Sequence, residues 1–318
     1  MAATPPRTPG WPRVLWAAGA VLLVAMVVHV VALVLLGGPV GGPVSLRKPA
    51  TFAETGWLLC WSVATVLPRL RTRAWQRHVV GATVLAFALG ETAIIAVQAW
   101  RGVPSHYNFT TPLDAALMRG GAAGTAAVFV VGMVVLLVVA LRSPVSRALR
   151  LGVAGGVGVV LVGCAVGMVM ISTNSGVYRG GVGSGFGATG AYFGPDPATV
   201  GPDLAGFRPA TAGGDLVLPH AIGVHGLLLL AVPAVLLAGT ALRDRLAPVA
   251  TMVAAVGLAL LVLLAHAFRM LPLDALDTPA LAVLAACAAT YLGGLAVTAR
   301  ALLARRPGED RTDVETGA

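Results

Sequence analysis

The apolar stretch VLWAAGAVLLVAMVVHVVALVLL, residues 14–36, decides the fold class of this chain. A bilayer core of ~30 Å is crossed by about 20 residues of α-helix, which rises ~1.5 Å per residue. The stretch is long enough to do this, and its one ionisable residue is His29. It therefore predicts a helix that spans a membrane.

Seven more apolar stretches of similar length follow along the chain. The eight predicted spans are 14–36, 52–68, 79–99, 121–141, 151–171, 221–241, 249–269 and 280–303. Of the 318 residues, 57% are hydrophobic and 11% are charged, whereas a soluble domain carries about 25% charged residues. This composition excludes an ordinary water-soluble globule. We predict an all-α integral membrane bundle of eight transmembrane helices that forms one domain over residues 14–303.

The distribution of basic residues predicts the orientation of this bundle. If both termini are cytoplasmic, 15 of the 22 basic residues lie on the inner side: Arg7, Arg13, Arg69, Arg71, Arg73, Arg77, Arg142, Arg147, Arg150, Arg243, Arg245, Arg300, Arg305, Arg306 and Arg311. Seven lie outside: Arg47, Lys48, Arg101, Arg119, Arg179, Arg208 and Arg269. Cytoplasmic loops of membrane proteins are enriched in Lys and Arg. We therefore predict a multi-pass plasma-membrane protein with a cytoplasmic segment 1–13 and a disordered cytoplasmic tail 304–318, and no nucleic-acid partner.

Five of the six histidines fall on the predicted outer side of the membrane. They are His29, His106, His220, His225 and His266. Imidazole is the commonest metal ligand and titrates near neutral pH. We predict a cofactor site at His29, His225 and His266, and a metal site at His220, His225 and Asp215. Zinc, copper or a haem would suit such ligands, although each histidine alone also fits a structural role.

Glu91 is the acidic residue that lies deepest in a predicted span. It is about 12 Å below the outer end of the third span, where a charged side chain costs roughly 2.5–3.5 kcal/mol. It must face the bundle interior, be protonated or be paired. We predict catalytic roles for Glu91, His106 and Asp114. A hydrogen bond that fixes helix packing is the alternative for Glu91.

Other features of the chain give weaker indications. The glycine-rich fifth span is predicted to be central to the bundle, because small residues let helices approach closely. The longest predicted outer loop, 172–220, is also rich in glycine. A retinal Schiff base is excluded because the only lysine, Lys48, lies in a predicted loop.

Two polar stretches at the membrane boundary carry a resemblance. The first runs from Ser105-His106-Tyr107-Asn108 through Thr111-Pro112 to Asp114-Ala115. The second runs from Gly214-Asp215-Leu216 through His220 to Gly223-Val224-His225. They resemble elements of an uncharacterised family of bacterial membrane proteins with about eight helices. The resemblance implies a polytopic bacterial protein and no known activity.

Three functional hypotheses follow from the sequence. The first is a membrane enzyme or redox protein with a metal or haem at a His/carboxylate site near the outer face, acting on a lipid or a quinone. The second is a proton-linked transporter that uses Glu91, Gln98 and the histidines. The third is an accessory subunit that binds a partner through the outer loop. The predicted partners are the bilayer and a small-molecule or lipid ligand at the outer face.

Overall fold

The computed structural model describes residues 10–38, 44–106, 108–173, 192–193 and 214–304. These residues form an all-α bundle, as predicted. The helices are α1 (Trp11–Leu36), α2 (Arg47–Val66, continued by a 3-10 turn Leu67–Arg69), α3 (Ala74–Trp100), α4 (Pro112–Arg142), α5 (Arg147–Thr173), α6 (Val217–Val224 and Leu227–Ala238), α7 (Leu246–Phe268) and α8 (Thr278–Leu303). Two two-residue strands, Tyr192–Phe193 and Gly214–Asp215, pair antiparallel.

Each predicted span overlaps one of these helices. Seven helices of the described chain are long and apolar enough to cross a membrane, and α6 makes an eighth if its two halves form one span. Those halves meet at an angle of 49°. The structure therefore shows a multi-pass membrane protein, while the orientation of its termini stays a prediction.

Helix α2 begins five residues earlier than predicted. Its first turn contains Arg47, Lys48 and Pro49, which the hydropathy pattern assigned to a loop. Proline is tolerated in the first turn of a helix because the N–H groups there have no partner within the helix. The prediction that Lys48 lies in a loop is therefore wrong.

Helix α5 lies at the centre of the bundle, where it contacts α4, α6 and α7. Its glycines allow this packing. A methyl group at Gly163 would lie 2.8 Å from the backbone of Gly223 in α6, closer than atoms can approach. This agrees with the central position predicted from the sequence. Large exposed apolar side chains lie along α1 and α8, as expected of helices that face lipid.

The two ends of the bundle differ in charge. Consecutive spans alternate in direction. The basic residues of the described chain that were predicted to be inside therefore lie at one end of the bundle, which we call the arginine-rich end. The opposite end includes the 101–111 connection and the start of α6, and we call it the histidine end. All the buried His, Asp and Glu residues of the described chain lie in its half of the bundle: His29, Glu91, Asp114, Asp215 and His266.

Several predicted segments lie outside the described residues. They are the terminal segment up to residue 9, the tail from residue 305 and most of the predicted outer loop 172–220.

Candidate functional site

Glu91 is buried on α3, with 5% of its surface exposed. Its Oε1 accepts a 2.8 Å hydrogen bond from the Thr125 hydroxyl of α4, whereas its Oε2 is buried without a hydrogen-bond partner. Gly90 and Gly121 lie at this contact, and a methyl group at Gly90 would be 3.1 Å from the Thr125 methyl. The two glycines let α4 approach α3 closely enough for Thr125 to reach the carboxyl group.

Helix α4 has an irregular turn beside this contact. Residues Leu117–Ala123 form a π-helix between two α-helical segments. Such insertions are rare and frequently occur at functional sites. This one ends just before Thr125, so it sets the position from which that side chain meets Glu91.

Lys48 lies near the same carboxyl group. Its charge interacts electrostatically with Glu91 and with His106, yet Lys48 and Glu91 form no direct ion pair among the described contacts. Lys48 is also the only lysine in a chain that otherwise uses arginine. Unlike an arginine, a lysine can lose its proton in a suitable environment.

His106 lies in the connection between α3 and α4. Its Nδ1 is 3.1 Å from the Ser105 hydroxyl, and its ring centroid is 5.8 Å from that of Phe52 in α2. Burial holds the pKa of His106 well below its usual value of 6.5, and the charges of Lys48 and His220 lower it further. His106 is therefore neutral at pH 7.

His220 and His225 approach from α6. The Nδ1–H of His220 donates to the Gly163 carbonyl at 2.9 Å, and that of His225 donates to the Ala221 carbonyl at 2.8 Å. In both rings these bonds leave the lone pair on Nε2. The two residues also interact electrostatically. His225 lies at the bend of α6, where it lines a crevice together with Thr55 and Ser62 of α2. This crevice has no room for a water molecule.

Electrostatic interactions link part of the predicted site with Lys48. We call the group the lysine–histidine cluster, and its members are Lys48, Glu91, His106, His220 and His225. Lys48 and Thr125 were missed from the sequence. The signal for Lys48 was that it is the only lysine among 22 basic residues. For Thr125 the signal was its place directly after the glycine-containing segment 120–124.

Two residues of the predicted cofactor site at His29, His225 and His266 are held by other hydrogen bonds. The Nδ1–H of His29 donates to the Ala25 carbonyl at 2.8 Å, and its Nε2 accepts from the Trp100 indole at 3.1 Å. His266 instead donates from Nε2 to the Pro272 carbonyl at 2.7 Å, beyond the end of α7. Since both nitrogens of His29 are engaged, it has no lone pair left for a metal or a haem.

In the predicted metal site at His220, His225 and Asp215, the carboxylate of Asp215 is also engaged in hydrogen bonds. Asp215 Oδ1 accepts bonds from the backbone N–H groups of Val217 (2.8 Å) and Leu218 (3.2 Å), so this carboxylate caps the start of α6. No group of three or more His, Cys, Asp or Glu side chains in the described part of the chain is arranged to hold a metal ion.

Asp114, predicted to be catalytic, is saturated with hydrogen bonds. Its Oδ1 accepts from Gln98 at 2.9 Å and pairs with Arg101 at 2.7 Å. Its Oδ2 accepts from the hydroxyls of Thr111 at 2.6 Å and Thr110 at 3.2 Å. A carboxylate with four donors has little capacity left for a ligand. We interpret Asp114 as the anchor of the connection that carries His106.

Comparison of this chain with protein-family models, with curated proteins and with solved structures finds no match.

Proposed function

We propose that this chain is a membrane-embedded acid–base enzyme whose substrate is an amphiphile that enters from the leaflet at the histidine end. The observation that carries the proposal is the carboxyl group of Glu91, which is buried and has one oxygen without a partner. The surrounding lysine–histidine cluster provides the further groups that can give or take a proton.

The energetics of Glu91 support a functional role. A charged group in the bilayer costs roughly 2.5–3.5 kcal/mol, and a buried polar atom without a partner costs about 1–3 kcal/mol more. A residue that only fixed the packing of α3 on α4 would need one hydrogen bond, which a serine or threonine would provide at lower cost. The free acceptor at Oε2 is explained if a ligand occupies it.

The cluster has the chemistry of general acid–base catalysis. His106 is held neutral, His220 and His225 each present an Nε2 lone pair, and Lys48 is a donor. Such groups transfer protons efficiently when they lie within hydrogen-bonding distance of the reacting atom. Because the cluster runs from the histidine end of the bundle, at Lys48 and His106, inward to Glu91, it suits the head of an amphiphile whose tail remains in the bilayer.

The test compares lipids before and after exposure to the protein. Wild type and Glu91→Gln are incubated in nanodiscs that contain a total lipid extract, and the lipids are then analysed by mass spectrometry. We expect one lipid species to change with wild type and not with Glu91→Gln. Glu54→Gln makes the same change at an exposed position of α2 and serves as the control. Identical lipid profiles for wild type and Glu91→Gln would overturn the proposal.

A metal-dependent version of this function is favoured by one observation. Histidines that bind metal almost always donate their other N–H to a carbonyl or carboxylate, as His220 and His225 do. These two residues are the ligands that zinc or copper would use here, and a third would have to come from outside the described groups. Elemental analysis of the purified protein tests this, with the double variant His220→Gln/His225→Gln expected to lose any stoichiometric metal.

A transport function is favoured by the bend of α6. Discontinuous helices form the binding sites of many transporters, and His225 lies at the break. The half of the bundle at the arginine-rich end has no buried His, Asp or Glu among the described residues, which weighs against a proton pathway across the membrane. Proteoliposome uptake of protons with and without Glu91→Gln separates transport from the proposed enzyme.

A further inference from the structure

The position of Lys48 relative to Glu91 suggests what part of a ligand fits between them. Both groups belong to adjacent helices, since α2 packs against α3. Their charges interact electrostatically, but the described contacts include no direct ion pair. The buried acceptor atom Glu91 Oε2 therefore lacks a hydrogen-bond donor, and the Lys48 ammonium group of the adjacent helix interacts with this carboxyl group electrostatically.

A group that satisfies both residues must donate and accept at once. A hydroxyl carries one donor hydrogen and two lone pairs, so it can donate to Glu91 and accept from Lys48. An ether or ester oxygen could only accept from Lys48. A phosphate or carboxylate anion would be repelled by Glu91, and a quaternary ammonium has no hydrogen to donate.

We propose that the lysine–histidine cluster recognises a lipid alcohol, whose hydroxyl group bridges Glu91 and Lys48. This inference rests on the proposed function and names the class of its substrate.

The surroundings of the two residues suit an amphiphile. From Lys48, the positions Phe52, Thr55, Leu59 and Ser62 follow at intervals of four and three residues, so they lie on one face of α2. The last three of these line the crevice between α2 and α6. An acyl chain would follow this face of α2 from the head group toward the bilayer centre, and α2 and α6 would have to separate at the closed crevice to admit it.

The test measures binding of dioctanoylglycerol and of its methyl ether to the full-length protein in detergent. The two probes differ only at one oxygen atom, where the ether carries a methyl group in place of the hydroxyl hydrogen of the alcohol. Hydrogen bonds to charged groups contribute about 1.5–3 kcal/mol, which corresponds to about tenfold or more in affinity. We expect the alcohol to raise the melting temperature and to bind at least about tenfold more tightly than the ether.

Variants identify the residues that bind the hydroxyl. Lys48→Met and Glu91→Gln should each remove most of the preference for the alcohol. Lys48→Arg keeps a cationic donor and should retain part of the preference for the alcohol over the ether. Glu54→Gln should behave as wild type. Because the comparison of the two probes needs only wild-type protein, a variant that fails to fold does not prevent the test.

The outcomes separate this inference from the proposed function. Equal binding of alcohol and ether, or a preference that survives Glu91→Gln, overturns recognition of a lipid alcohol. If that occurs while Glu91-dependent lipid conversion is still observed, the enzyme proposal stands with a different substrate. Selective binding of the alcohol without any lipid conversion overturns the enzyme and leaves a binding protein for lipid alcohols.

Discussion

Trp100 donates its indole N–H to Nε2 of His29 across 3.1 Å, and this bond ties α1 to α3. The other ring nitrogen of His29 already donates to the Ala25 carbonyl. Both ring nitrogens of His29 are therefore occupied. A histidine that the sequence suggested as a cofactor ligand is instead a link between two helices.

Replacing Trp100 with phenylalanine should weaken this link without affecting chemistry. Interhelical polar contacts in membranes contribute about 0.6 kcal/mol on average and up to about 1.7 kcal/mol, so Trp100→Phe should lower the free energy of unfolding by that order. The measurement is unfolding of the purified protein by SDS titration. Trp75→Phe, at an exposed position near the start of α3, is the control. An unchanged free energy for Trp100→Phe would show that the bond contributes nothing.

The packing of α5 on α6 gives a second prediction, because it positions His220. Gly163 supplies the carbonyl that holds the His220 ring and leaves no space for a methyl group against Gly223. Gly163→Ala should destabilise the protein by about 1–3 kcal/mol through overpacking. Gly158→Ala, in the same helix with no atom within 4 Å of the added methyl, should instead be neutral or stabilise it by up to about 1 kcal/mol. Thermal unfolding of both variants checks this, and equal melting temperatures would contradict it.

The fold could be predicted from the sequence because the bilayer imposes a length. Every span longer than about 20 apolar residues was visible, including the glycine-rich helix at the centre. The start of α2 was missed because Arg47, Lys48 and Pro49 look like a loop by hydropathy, whereas charged residues and proline are ordinary in the first turn of a helix.

The candidate site could be predicted only in part, for a geometric reason. Position along a span gives the depth of a residue in the membrane, so Glu91 and the five histidines of one end were found. Depth does not give the position of a residue around the bundle, which depends on helix packing. His29 and His266 lie at a depth similar to that of the cluster, but His29 contacts α3 and His266 contacts Pro272. Lys48 was missed because hydropathy did not show that α2 begins at Arg47.

The anchor at Asp114 gives a third prediction. Asp114→Ala removes an acceptor from Gln98, Arg101 and two threonines. Of these donors Gln98 is buried, and leaving a buried donor unpaired costs about 1–3 kcal/mol. We expect a loss of that order in the free energy of unfolding and a freer connection between α3 and α4. Hydrogen exchange of residues 101–111 should then become faster. Unchanged exchange would show that Asp114 does not anchor the connection that carries His106.

The electrostatic surroundings of His106 give a fourth prediction. Its pKa lies below 6.5 in the folded protein, first because of burial and then because of Lys48 from α2 and His220 from α6. As the pH falls, His106 is therefore protonated in the unfolded chain before it is protonated in the folded protein. The contribution of the neutral His106 to stability is complete above pH 6.5 and decreases as the pH falls below that value. Lys48→Met should raise the pKa of His106 while leaving it below 6.5, because burial remains. NMR titration of labelled histidines measures this, and an unchanged pKa would contradict it.

The hydrogen bond between Thr125 and Glu91 gives the last prediction, since it is the only one that the Glu91 carboxyl group makes among the described residues. Thr125→Val keeps the shape of the side chain and leaves both carboxyl oxygens unpaired, so it should destabilise the protein by about 1–3 kcal/mol. Thr125→Ser keeps the hydroxyl and should cost less. In a double-mutant cycle, Thr125→Val should cost less in the Glu91→Leu background than in wild type. The Glu91→Leu protein has no buried carboxyl group that could lose its partner. Additive losses in SDS unfolding would mean that Thr125 supports the fold without acting on Glu91.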